Sequence, residues 1–188
     1  MKRMTSDPGH LLGIYLNDHL AGAGAGISLL KRVTRVHRGS DAGPRLALLT
    51  EEITQDRASL REIMTVLNVP LNHVRALVGV AAAQAGRLKG NGRVLARSPL
   101  SDVLELEAIR VGVEGKKELW RTLHTLARTE PRLNTEALGR LLARAERQAG
   151  VLETLRLAAV DRALRGRSPR LPATVRRSGP RAAKAGWA

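Results

Sequence analysis

Apolar residues recur along this chain at spacings of three and four, and those spacings divide it into four long amphipathic segments. The first runs from Pro8 to about His37. Its stripe is Leu12, Leu16, His19, Ala23, Ile27, Leu30 and Val33, with Asp7 placed as N-cap and Pro8 at the first helical position. Gly39 ends it. The second runs from about Pro44 to Asn68 on Leu46, Leu49, Ile53, Asp56, Leu60, Ile63 and Leu67, and Pro70 stops it. Ser98-Pro99 opens the third, whose stripe is Leu106, Ile109, Val113, Trp120, Leu123 and Ala127, weakened in its middle by Gly112 and Gly115. Pro131 breaks the pattern. Asn134 caps the fourth, which follows Leu138, Leu141, Ala145, Gln148, Leu152, Leu155, Ala159 and Ala163.

Between the second and third segments, residues 76–85 are mostly apolar and read as a short buried helix, and Lys89-Gly90-Asn91-Gly92-Arg93 reads as a turn. Beyond Gly166 the chain is rich in Pro, Gly, Ala and Arg and holds no acid, the composition of a disordered tail. The expected organisation is a bundle domain over 1–166 and a disordered basic tail over 167–188. Two antiparallel hairpins joined by one long crossover make an all-α, ferritin-like four-helix bundle.

Composition narrows the chemistry. The 188 residues include no Cys and no Phe, and the aromatics are Tyr15, Trp120 and Trp187 alone. Disulfides, thiolate zinc sites, iron–sulfur clusters and cysteine nucleophiles are excluded. An aromatic-poor, alanine-rich core argues against sandwiches and barrels and against RNA modules that stack bases on aromatic platforms. The basic N-terminus leads into no apolar signal-peptide core, and the uncharged stretches stop at about a dozen residues, short of the roughly 18 that span a bilayer. The expectation is a cytoplasmic protein with no membrane partner.

A four-helix bundle raises the question of a dinuclear metal centre, which takes Glu-x-x-His from two of its helices. The one acid–His pair at that spacing is Asp7 and His10, at a helix start with Pro8-Gly9 between them. No cofactor is expected. A metal ion is the open alternative, with Asp18, His19 and Asp56 as candidate ligands. His19 and Asp56 interrupt the apolar stripes of the first hairpin, and a buried carboxylate needs a partner. Hydrogen bonding to each other would make them a ligand pair, an acid–base dyad or a register-fixing core contact. The run Ala21-Gly22-Ala23-Gly24-Ala25-Gly26 is not a dinucleotide fingerprint, because its glycines alternate inside a helical pattern with no strand before them. Three mid-helix glycines cost about 1 kcal/mol each against Ala; the expected offset is close helix approach, within the bundle or across a homo-oligomer. Glu105, Glu107, Glu114 and Glu118, interleaved with Lys116, Lys117 and Arg121, read as local ion pairs on a solvated face. Trp120 reads as packing.

The formal charge is +15. Seven of the positives sit in the acid-free C-terminal stretch: Arg165, Arg167, Arg170, Arg176, Arg177, Arg181 and Lys184. Arg87, Lys89, Arg93 and Arg97 mark a second acid-free stretch in the crossover. These are the candidate contacts to nucleic acid or another polyanion. If all seven tail residues neutralised phosphates, the salt slope of binding would be about −6. Against this, Arg outnumbers Lys 26 to 6, a bias that a GC-rich genome also produces.

The run Tyr15-Leu16-Asn17-Asp18-His19-Leu20-Ala21-Gly22, the Asp56/Leu60/Ile63 helix, and Ser98-Pro99-Leu100-Ser101 with Glu105-Leu106-Glu107, Gly112-Val113, Gly115-Lys116 and Leu119-Trp120 resemble bacterial ferritin-like proteins. The opening helix is similar to that of the YciF-type stress-associated proteins. The resemblance covers residues 10–165. It implies a four-helix bundle, in some members with metal, and would match Asp18 to a first-helix acid and Asp56 to a second-helix acid. The functional expectation is a non-catalytic, ferritin-like binding or assembly protein without an intact di-metal site. Two alternatives stand beside it: a nucleic-acid-associated protein, and an atypical metal-dependent oxidase or metal-binding protein.

Overall fold

A computed structural model describes residues 7–72 and 98–165 of the chain. Among the described residues are four long helices, α1 (Pro8–Val36), α2 (Gly43–Val66), α3 (Pro99–Leu126) and α4 (Thr135–Val160), and α4 runs on into one π-helical turn, Asp161–Arg165. The expected caps form. The Asp7 carboxylate accepts from the backbone N–H of His10 at 3.2 Å, Ser98 Oγ from Leu100 at 3.3 Å, and Asn134 Oδ1 from Ala137 at 2.9 Å. Each satisfies an orphan donor of a first turn, a contribution of about 0.5–2 kcal/mol.

Two element boundaries have local causes that the sequence pattern missed. α2 ends before Pro70, because Asn68 adopts φ 57° and Val69 N–H turns back to Met64 O at 2.8 Å. Asn tolerates this left-handed cap where most residues do not. In the α1–α2 turn the constrained glycine is Gly43 rather than Gly39. A Cβ on Gly43 would stand 2.7 Å from His37 O and 2.9 Å from Arg38 O, whereas one on Gly39 would meet nothing within 4 Å.

Short turns make α1–α2 and α3–α4 antiparallel hairpins. Across the hairpins, Tyr15 Oη donates to Thr122 Oγ1 at 3.2 Å and Arg32 pairs with Glu105 at 2.8 Å, so α1 and α3 are also antiparallel. Gln148 Nε2 donates to Glu52 at 2.9 Å and Arg144 donates to Gln55 at 3.3 Å, setting α4 antiparallel to α2. The result is a four-helix bundle. Asn72 N–H donates to Asn17 Oδ1 at 2.7 Å, near the start of α1, while Ser98 opens α3 at the end where His37 meets Asp102 at 3.0 Å. The chain therefore leaves the first hairpin at one end of the bundle and enters the second at the other.

Apart from Trp120 the core is aliphatic, and it comes in two clusters. Leu30, Leu46, Leu106 and Leu152 belong to one; Leu16, Met64, Trp120, Leu123 and Leu138 belong to the other. Buried Asp56 and Gln148 lie between them. The stripes drift slightly from expectation: Met64 rather than Ile63 fills the last core position of α2, and Leu20 is buried beside Leu16. Among the described residues no helix is long and apolar enough to cross a membrane.

Candidate functional site

The expected hydrogen bond between His19 and Asp56 does not form. Asp56, 1% exposed, is held instead by residues of α3 and α4. Lys116 Nζ donates to Asp56 Oδ2 and, at 2.5 Å, to Gln148 Oε1. Arg144 pairs with the other Asp56 oxygen, and Gln148 Nε2 donates to Asp56 Oδ2 at 3.3 Å and to Glu52 at 2.9 Å. Two carboxylates, one ammonium and one guanidinium thus form a charge-balanced polar layer between the two apolar clusters. Burial lowers the Lys116 pKa, and the Asp56 charge opposes that shift. Spacing along α2 singled out Asp56, but Lys116 was assigned to a solvated face. It sits three residues after Val113 on the core stripe, and that offset was the available signal.

The third-helix acids divide in the same way. Glu114 with Lys117 and Glu118 with Arg121 are the expected local pairs. Glu105, 3% exposed, is instead buried against Arg32 of α1.

These donors do not suit a metal centre. Both oxygens of Asp56 already face cations, and the third-helix position nearest it supplies an ammonium rather than a ligand. Among the described residues, no three His, Asp or Glu side chains gather as metal ligands.

Asp18, His19 and Asp56 nevertheless converge. All three line one cleft of about 470 Å³ bounded by α1, α2 and α3. On α1, Tyr15, His19, Gly22 and Gly26 recur at helical spacing and make one wall; on α3, Ala108, Gly112, Gly115 and Leu119 make the facing wall. The antiparallel register fixed by Tyr15–Thr122 and Arg32–Glu105 puts Gly22 opposite Gly115. Helical glycines commonly permit close approach. Here a Cβ built on Gly22, Gly26, Gly112 or Gly115 would meet nothing within 4 Å. The expected close contact inside the bundle is absent, and open space stands where side chains would fill the seam. The floor is Ile53, Leu60, Ile109 and Trp120 with the Asp56–Lys116 pair.

Polar groups enter the cleft at few points. His19 packs edge-on against Tyr15 with ring centroids 4.6 Å apart. Burial lowers the His19 pKa, and neighbouring Asp18, which is exposed, partly opposes the shift. Arg57 reaches the cleft from α2. This combination, a concave apolar surface with a few placed polar groups and a volume in the range of about 300–1,000 Å³, is that of small-molecule sites. Sequence reasoning missed Arg57, which lies off the apolar stripe of α2 although its neighbour Asp56 was singled out.

Of the candidate polyanion contacts, Arg165 is described. It forms an exposed pair with Asp161 at 3.2 Å on the π-helical turn. Arg87, Lys89, Arg93, Arg97, Arg167, Arg170, Arg176, Arg177, Arg181 and Lys184, together with the crossover helix expected over 76–85 and the tail, lie outside the described residues. No known protein family, curated protein or solved structure matches this chain.

Proposed function

We propose that this protein is a non-catalytic binding protein, a ferritin-like helical bundle without a di-metal centre, and that it holds a small apolar molecule in the cleft among α1, α2 and α3. The observation that carries the reading is the glycine-lined seam. Four helix-interior glycines cost about 1 kcal/mol each relative to alanine, and the space beside each would accept an alanine without contact. That space lies along the cleft, and a bound molecule would give the four glycines a common use. The ferritin-like part of the reading is supported by the hairpin–crossover–hairpin connectivity and by the polar layer at mid-bundle. In that layer Lys116 and Arg144 balance the carboxylates of α2.

The test uses the neutral apolar fluorophore N-phenyl-1-naphthylamine. Its fluorescence should rise on addition of the full-length protein. The double substitution Gly22→Leu and Gly112→Leu fills the cleft from both walls and should abolish the rise while leaving the helical circular dichroism unchanged. An equal rise with both proteins, or none with either, would overturn the proposal.

A further inference from the structure

Two buried donors on the cleft wall lack acceptors. The Trp120 indole, 1% exposed, has its Nε1–H unpaired, and Arg57 has its buried Nε unpaired. Both residues line the cleft. Arg57 is set apart further. Among the described residues no carboxylate lies within 4.0 Å of its guanidinium, whereas Lys116 and Arg144 both pair with Asp56. Buried polar groups are ordinarily satisfied, and an exception calls for an explanation. Of the five buried atoms without a hydrogen-bond partner among the described residues, Asp56 Oδ1 faces the Arg144 guanidinium, and Arg110 and Arg144 pair through their terminal nitrogens with Glu153 and Asp56; the two that are left are donors on one cavity.

We infer that the occupant of the cleft is an amphipathic monoanion, an apolar carboxylic acid. Its carboxylate would accept from Arg57 and Trp120, and its apolar body would lie along the Gly22/Gly26 and Gly112/Gly115 walls. This rests on the cleft being a binding site. The charge count selects a monoanion. Lys116 and Arg144 are already balanced by Asp56 and Glu52, so the half-buried Arg57 is the cation of the cleft that no carboxylate balances. Asp18 stands at the exposed rim, where solvent screens it. A carboxylate offers several lone pairs from two oxygens, enough for two donors, and its pairing with guanidinium is geometrically favoured. A neutral alcohol of the same length would fill the apolar walls equally well and leave the Arg57 charge unpaired.

The experiment compares dodecanoate with dodecan-1-ol, both below the concentration at which they aggregate. Trp120 fluorescence is the readout, in full-length protein carrying Trp187→Phe. The acid should bind at least about tenfold more tightly than the alcohol, the size expected for a hydrogen-bonded charged group in a sheltered site. Arg57→Met keeps the length of the side chain and should remove most of that preference while changing alcohol binding less than about twofold. Arg57→Lys should restore part of it. Equal affinity for acid and alcohol in the parent would overturn the inference and leave the cleft as an apolar binding site. A preference for acid that survives in Arg57→Met would also overturn it. Failure of both ligands to bind would remove the cleft reading together with the inference.

Discussion

Asp56 shows what a single residue's position can and cannot reveal. Its place on the α2 stripe identified a buried carboxylate, because the three-four spacing puts positions 49, 53, 56 and 60 on one face. Its partners were beyond reach of that argument. They are Lys116 and Arg144, distant in sequence and brought alongside by the packing of α3 and α4. His19, the partner that spacing suggested, turns into the cleft beside Tyr15 instead. The prediction at this scale concerns His19. Burial disfavours its charged form, so its folded pKa lies below the ordinary 6.5. The unfolded chain binds the proton more readily, and this group's contribution to stability is therefore lost as pH falls from about 6.5 through the lower folded value. A proton NMR titration should give a His19 midpoint below 6.5, and Asp18→Asn should lower it further by removing the charge that opposes the shift. A midpoint above 6.5, or an upward move in the variant, would contradict the assignment.

At the scale of the helix, start signals were legible and stop signals less so. Asp7, Ser98 and Asn134 cap where a side-chain oxygen meets a run of helical spacing, which is local chemistry. The end of α2 depends on the backbone of Asn68, and the need for Gly43 depends on the carbonyls of the preceding turn. The glycines of α1 and α3 were visible as a cost, and for those of α1 the close approach expected within the bundle is absent. The structure separates them by role. Gly24 does not line the cleft, and a Cβ on it would meet nothing within 4 Å. Gly24→Ala should therefore stabilise the protein by about 1 kcal/mol and leave fluorophore binding unchanged. Gly22→Ala and Gly26→Ala should give a similar gain, read from urea denaturation, together with weaker binding. Destabilisation by any of the three would mean that the space beside them is not open.

At the scale of the whole molecule, the two hairpins meet at mid-bundle through one polar layer. Asp56 of the first hairpin binds Lys116 and Arg144 of the second, and Gln148 joins Asp56 to Glu52. Such a layer is a weak source of net stability, yet removing one member leaves the others buried and uncompensated. Asp56→Ala strands two cations and should cost about 3–5 kcal/mol at neutral pH, measured as a shift in the urea midpoint followed by circular dichroism. A loss under about 1 kcal/mol, typical of an exposed pair, would show that the layer is solvated. The same layer divides the aliphatic core into its two clusters, so the substitution tests how cooperatively the halves fold.

The sequence by itself determined the four described helices and most of the apolar residues that face inward, because amphipathic spacing and capping are local properties read along one dimension. It also determined that the core is aliphatic, since a chain without Phe has little else to bury. Tertiary structure alone decided which inward residues meet. The register between α1 and α3 set Gly22 against Gly115, and the approach of α4 to α2 gave Asp56 its cations. The cleft exists because small residues on two helices, nearly a hundred positions apart, are brought to the same level. A cavity is a property of that juxtaposition, and no spacing within either helix encodes it.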